Sequence, residues 1–247
     1  MTAEVPADVA SRLAAVRERV AAACAGVGRE VAGVTIVAVT KTHGPDAAQA
    51  AVDAGCADLG ENRVQEWRAK APLVHGARWH LVGPLQVNKV RHVVGHGVLL
   101  HAIDRAEQLV AIGRRAQNLD ADQQVLLQVN VADDPAKHGC TADDLGPLLE
   151  QAHRTAGVEV IGLMTVPPLP DANADPNDAT RPHFARLRAL RDRHAADHPG
   201  LRHLSMGMTA DLEAALAEGA TLVRLGTAIF GPRQTGPWRP DDDKELR

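Results

Sequence analysis

The feature that most constrains this chain is an alternation. Short apolar runs and amphipathic segments follow one another to the end of the sequence. The runs at 34–40, 57–60, 78–82, 98–103, 124–130, 158–164, 203–206 and 222–225 read as strands. Several lack a polar face, as expected of strands covered on both sides. Between them, 46–54, a segment from about Val64, 86–94, 105–118, 142–156, 182–196 and 210–217 carry helical periodicity. A further helix precedes the first strand, with Val9, Leu13, Val16, Val20 and Cys24 on one face and Asp8 placed to cap it. Eight strands with helical crossovers predict a single parallel (β/α)8 barrel of the TIM type with an extra N-terminal helix. An open doubly wound sheet is the alternative. It would ordinarily carry a glycine-rich fingerprint after its first strand, where this chain has Lys41.

Composition excludes several functions. Aromatic residues are 2% of the 247 residues, and there is no tyrosine. Stacking platforms for single-stranded nucleic acid need exposed aromatic faces, and tyrosine acid–base chemistry is impossible here. A net charge of −4 argues against nucleic-acid or membrane-surface binding. Cys24, Cys56 and Cys140 are far apart and odd in number, which predicts a reducing, cytoplasmic setting. Cys56 reads as a packing residue. The N-terminus lacks the pattern of a signal peptide, and no apolar run is long enough to cross a bilayer. The stretch 167–181 reads as a proline-rich loop, and 232–247 as a polar C-terminal tail outside the barrel domain of 1–231.

Parallel barrels place their chemistry at the C-terminal ends of the strands. Lys41 emerges there from an apolar strand. Desolvation favours its neutral, nucleophilic amine, which forms Schiff bases with aldehydes. The structural alternative is a lysine that reaches solvent or pairs with a carboxylate such as Glu61. After the seventh and eighth strands, Ser205, Gly207, Thr209, Gly226 and Thr227 supply hydroxyls and backbone N–H groups suited to a phosphate. Ordinary capping by Thr209 is the competing reading. Arg224 stands inside an apolar strand, and so either faces a ligand's ring nitrogen or belongs to an ion pair. His92 and His96 have the spacing of a metal pair but no evident third ligand, and they read as solvent-facing.

Five ordered stretches add to this. They are Val-Thr-Lys-Thr at 39–42, Gly-Glu-Asn-Arg-Val-Gln-Glu at 60–66, Trp-His-Leu-Val-Gly-Pro-Leu-Gln-Val-Asn-Lys at 79–89, Ser-Met-Gly-Met-Thr-Ala-Asp at 205–211 and Val-Arg-Leu-Gly-Thr-Ala-Ile-Phe-Gly at 223–231. With them the chain closely resembles the pyridoxal 5′-phosphate homeostasis protein family. The resemblance implies a barrel like the N-terminal domain of alanine racemase without that enzyme's β-rich domain. It implies that Lys41 carries pyridoxal 5′-phosphate (PLP) as a Schiff base. Ser205, Gly226 and Thr227, with backbone near Met206 and Gly207, would hold the phosphate. Arg224 would lie near the pyridine nitrogen and Asn62 near the ring. The role implied is intracellular vitamin B6 and amino-acid homeostasis without established turnover, with PLP-dependent apo-enzymes as partners. The chain departs from the family pattern at His43, where a second lysine is common, and at Arg63, where a tyrosine is common. Lys137 matches a lysine that the family carries after the fifth strand.

A carrier also follows from the residues. PLP catalysis uses the ring as an electron sink, and an arginine opposite the ring nitrogen disfavours the protonation that strengthens the sink. Racemisation further needs an acid–base group on each face, and one face lacks its usual tyrosine. The alternative remains a PLP-dependent, racemase-like enzyme. A Schiff-base aldolase is a more distant reading, because such lysines usually emerge from later strands. A role in partner binding alone has little support in the residues. A monomer is expected, since no large apolar face is legible.

Overall fold

The computed structural model describes residues 6–232 and Trp238, with side chains from Asp8 onward. The rest of the tail expected at 232–247 lies outside the described residues. Eight parallel strands close into a barrel in sequence order. They are β1 (Thr35–Val39), β2 (Asp58–Glu61), β3 (Arg78–Leu81), β4 (Leu99–Ile103), β5 (Gln123–Gln128), β6 (Val158–Met164), β7 (His203–Ser205) and β8 (Leu222–Leu225). β1 pairs with β8 as well as β2, with Val37 opposite Arg224 and Ala38 opposite Leu225, which rules out the open sheet. The helices are α1 (Pro6–Gly26), α2 (Pro45–Asp53), α3 (Val64–Lys70), α4 (Ala106–Gln117), α5 (Leu145–His153), α6 (Pro176–His194), α7 (Leu212–Ala217) and α8 (Thr227–Phe230).

Two apolar clusters follow from the strand period of two, with the parity shifted where the β4–β5 and β5–β6 pairings slip register. Val37, Ala102, Leu126, Ile161, Met164 and Leu222 pack inside the barrel. Alternate residues, among them Ala38, Leu59, Leu81, Leu100, Val125 and Leu225, pack outward against the helices. The apolar face of α1 (Val9, Leu13, Val16, Val20, Cys24) is buried with this outer layer. Arg19 donates to Glu213 Oε2 at 2.7 Å and to Thr209 O at 2.8 Å, and Arg29 donates to Leu216 O at 2.6 Å, so α1 is tied to α7 and its flanks.

Several local expectations are corrected. Asp8 lies within the first turn of α1 and pairs with Arg12 at 2.6 Å rather than preceding the helix as its cap. The segment 86–94 forms a 3-10 turn, Val87–His92, not an α-helix. Val87, Val90, Val93 and Val94 are β-branched, and the buried pair Val90 and Val93 has the three-residue spacing of a 3-10 turn. The helix expected from Pro182 begins instead at Pro176, which shortens the preceding loop. Asp175 accepts from Asn177 N at 2.7 Å as the N-cap, and Pro176 follows in the first turn, where its missing N–H costs nothing. Pro182 then lies inside the helix. Thr209 does not cap α7. That position is held by Asp211, whose carboxylate accepts from Met208 N. The short α8 after β8 was not evident from periodicity.

Among the described residues, no helix is long and apolar enough to cross a membrane.

Candidate functional site

The strand ends gather the residues singled out above around one mouth of the barrel. Lys41 stands two residues beyond β1, half-buried, in a turn. Thr42 follows it at φ 69, a left-handed conformation unfavourable for a β-branched residue. The turn is held on both sides: Thr42 N donates to Glu66 Oε2 at 3.2 Å, and His43 N donates to Thr40 O at 3.0 Å. Asn62 lies just past β2. A Cβ on Gly83 would come within 2.1 Å of Asn62 O, so only glycine at the end of β3 lets the Asn62 loop approach this closely.

Beneath the turn lies a buried charged cluster on the outer face of the barrel. Lys70 donates to Glu61 Oε1 at 2.6 Å and to Thr40 O at 2.9 Å, and the Thr40 hydroxyl also donates to Glu61. The carboxylate that could have paired with Lys41 is thus engaged by Lys70. Burial pushes the Glu61 carboxyl up, opposed by Lys70 and Thr40. His43 is buried against Phe230, with ring centroids 5.3 Å apart, and burial followed by Lys70 lowers its pKa. The ring of His43 acts as packing.

The β7–β8 end is built around Gly207 and Gly226. Gly207 has φ 90, and a Cβ there would fall 2.4 Å from the Ala215 methyl. Arg224 N donates to Gly207 O at 3.0 Å, which locks the two strand ends together. Thr227 is exposed and opens α8, and its hydroxyl lies 3.5 Å from that of Thr209. Two of the expected phosphate ligands are otherwise engaged. Met206 gives its N–H to Leu222 O at 3.2 Å. Ser205 turns its hydroxyl into the barrel, where it accepts from Arg224 at 2.8 Å.

Arg224 is buried on neutral acceptors, Ser205 Oγ and Thr165 O at 2.9 Å. Among the described residues no carboxylate is paired with it, and Asp211 acts on it only at longer range. The ion pair offered as one reading is therefore not what holds it. Burial pulls the guanidinium down to about 10, so it stays charged at neutral pH.

Sequence reasoning passed over what lies behind Arg224. His101 Nδ1 sits 2.9 Å from Ser205 Oγ, His101 Nε2 sits 2.9 Å from His80 Nδ1, and His80 Nε2 sits 3.1 Å from Asp58 Oδ1. Arg78 closes the line by pairing with Asp58. Strand parity was the available signal: His80 and His101 alternate with the outward-facing Trp79, Leu81 and Leu100, and so share the barrel interior with Arg224.

The remaining candidates lie apart. Lys137 is exposed in the loop after β5, and its N–H donates to Asp134 O at 2.9 Å. His96 is exposed, while His92 is partly buried beside Arg68 at 3.4 Å. No group of three or more His, Cys, Asp or Glu with metal-binding placement occurs among the described residues. Cys24, Cys56 and Cys140 are free and buried.

Comparison with known proteins identifies the family and the fold. The alanine racemase N-terminal domain model matches residues 12–234. A pyridoxal phosphate homeostasis protein of Aquifex aeolicus is 38% identical over 230 residues, covering 92% of this chain and 99% of that one. The structure of PipY from Synechococcus elongatus with PLP bound superposes with a TM-score of 0.77 at 34% identity, covering 90% of this chain and all of that one. An alanine racemase of Clostridium difficile shares the fold, at TM-score 0.70 and 12% identity over 92% of this chain and 60% of the other. The chain belongs to the pyridoxal phosphate homeostasis proteins, within the alanine racemase N-terminal domain family.

Proposed function

We propose that this chain binds PLP as a Schiff base on Lys41 and holds it for vitamin B6 and amino-acid homeostasis, without catalytic turnover of its own. The observation that carries the reading is Arg224, a buried cation on neutral acceptors two residues before Gly226 and Thr227, on the strand paired with β1. An anionic ring with a phosphate suits that arrangement. Among the described residues the cationic side chain faces no competing carboxylate, the glycines allow close backbone approach, and a lysine stands at the end of the next strand. The relative with PLP bound supports the same assignment.

In this reading Lys41 binds the aldehyde carbon. Backbone near Gly207 and Gly226, with Thr227, holds the phosphate. Arg224 donates toward the ring nitrogen, and Asn62 lies beside the ring. Ser205 acts through Arg224, and Met206 shapes the strand end without offering its N–H. Bound PLP supplies an electrophilic aldehyde and a ring able to delocalise charge. A fixed, charged Arg224 keeps the ring nitrogen unprotonated, which favours holding over catalysis. The binding unit is the barrel of 1–231. Buried free cysteines suit the cytoplasm. Delivery to PLP-dependent apo-enzymes by a monomer completes the proposal.

The test is an absorbance spectrum with added PLP, followed by borohydride reduction and peptide mapping. A visible band that reduces onto Lys41, and that Lys41→Ala abolishes, is the expected result. Label spread over many lysines, or a band unchanged in Lys41→Ala, would remove the assignment.

A further inference from the structure

The polar line inside the barrel has a direction. A guanidinium only donates, so Ser205 Oγ is an acceptor toward Arg224 at 2.8 Å. The serine's own proton then needs an acceptor, and His101 Nδ1 lies 2.9 Å away. With Nδ1 accepting, a neutral His101 carries its proton on Nε2, which faces His80 Nδ1 at 2.9 Å. His80 in turn carries its proton on Nε2, facing Asp58 Oδ1 at 3.1 Å. Each of the four links then has one donor and one acceptor. The reversed assignment needs a doubly protonated His80 inside the barrel, where it is 5% exposed. It also gives Ser205 two donors and leaves its own proton without an acceptor among the described residues.

Such a line transmits charge. An ionised Asp58 polarises the His80 N–H, which makes His80 Nδ1 a stronger acceptor, and the effect repeats through His101 to Ser205. The far end stays ionised: burial opposes the Asp58 charge, but hydrogen bonds from His80 and Arg78 outweigh it and hold the pKa to about 2. His101 stays neutral, lowered chiefly by burial and then by His80, Arg224 and His203. Asp58 and Arg78 stand at the first residues of β2 and β3, at the opposite end of the barrel from Lys41.

We propose that His101 and His80 are positioning residues of the PLP site, which act through Ser205 to aim Arg224 at the ring nitrogen and make Asp58 its remote counter-charge. Both bonds from Arg224 use its terminal nitrogens, Nη1 and Nη2. The guanidinium is thereby fixed in plane and in roll without using Nε. The proposal rests on the reading of Arg224 as the ring-nitrogen partner.

Two experiments test it. The first needs no cofactor: nitrogen-15 spectra of the histidine rings in the ligand-free protein at neutral pH. Neutral His80 and His101, each protonated on Nε2, are expected. A proton on His101 Nδ1, or a doubly protonated His80, would overturn the directed line. The second uses PLP-loaded protein. Ser205→Ala and His101→Phe are expected to move the visible band and to weaken PLP retention about tenfold, the scale of one hydrogen bond to a charged group. His101→Asn, which returns an acceptor to Ser205, restores the band. A merely structural role would lower stability in both variants and leave the band in place, and that result would refute the positioning role. Ser205→Ala deletes one hydroxyl and carries the test where His101→Phe does not fold. If the wild type itself takes no PLP on Lys41, the site assignment fails instead, and the ring spectra still decide the direction of the line.

Discussion

Glu61 and Lys70 form a 2.6 Å ion pair whose two side chains are both fully out of solvent. The pair lies between the end of β2 and the end of α3, and its lysine also holds the carbonyl of Thr40, the residue before Lys41. Burying two charges is repaid only when both remain paired and hydrogen-bonded. Lys70→Met should therefore destabilise the protein by about 3–5 kcal/mol, because it strands a buried carboxylate. Glu61→Leu combined with Lys70→Met should recover most of that loss. Urea unfolding of the two variants checks this. A single variant as stable as the wild type would mean that the pair does not support the Lys41 turn.

Asp58 predicts a pH dependence. Its carboxyl is held to about 2 from an ordinary 3.8, with burial outweighed by hydrogen bonds from His80 and Arg78. A depressed folded-state pKa contributes stability above the unfolded value and loses it as pH falls through the folded one. At ~1.4 kcal/mol per unit, the contribution is about 2 kcal/mol at neutral pH. It should fade between about pH 4 and pH 2. Asp58→Asn should be less stable by that amount at pH 7 and converge with the wild type near pH 2. A constant gap across the range would assign the loss to packing instead.

The two glycines of the β7–β8 end should separate folding from binding. Alanine at Gly207 meets both an unfavourable φ of 90 and a methyl 2.4 Å away, so Gly207→Ala should cost more than ~2 kcal/mol. Alanine at Gly226 meets Val39 O at 3.4 Å and Val39 Cβ at 3.9 Å, ordinary contacts, with φ −112. Gly226→Ala should fold with near wild-type stability, within about 0.5–1 kcal/mol. It should still hold PLP less well if, as proposed, the phosphate approaches the backbone at this residue. Thermal melts and PLP retention read the two effects separately. Full retention in Gly226→Ala would move the phosphate away from that residue.

The alternation of strands and helices was legible because each element has its own hydrophobic period, and closure followed from the count of eight strands. The ends of the strands followed as well, which placed Lys41, Asn62, Arg224 and Gly226 at one mouth. What escaped depends on partners distant in sequence. Lys70 is a helical lysine until α3 folds it onto Glu61. Ser205 reads as a phosphate ligand until its hydroxyl is seen facing His101 on β4, 104 residues away. Local signals also compete where two are available: Pro182 can start a helix, but Asp175 and Pro176 start it better.

Catalysis is the last property that Arg224 decides. A PLP enzyme that removes an α-proton gains from a protonated ring nitrogen and from an acid–base group on each face of the substrate. Here Arg224 remains charged, since burial lowers it only to about 10, and its orientation is fixed by Ser205 and Thr165. The chain has no tyrosine to serve the second face. The PLP-loaded protein should therefore exchange the Cα proton of amino acids for deuterium no faster than free PLP does. Arg224→Glu, which in the proposed site sets an acid opposite the ring nitrogen, should raise exchange if the variant folds and retains PLP. Exchange by the wild type well above the free cofactor would show a racemase-like enzyme in place of a carrier.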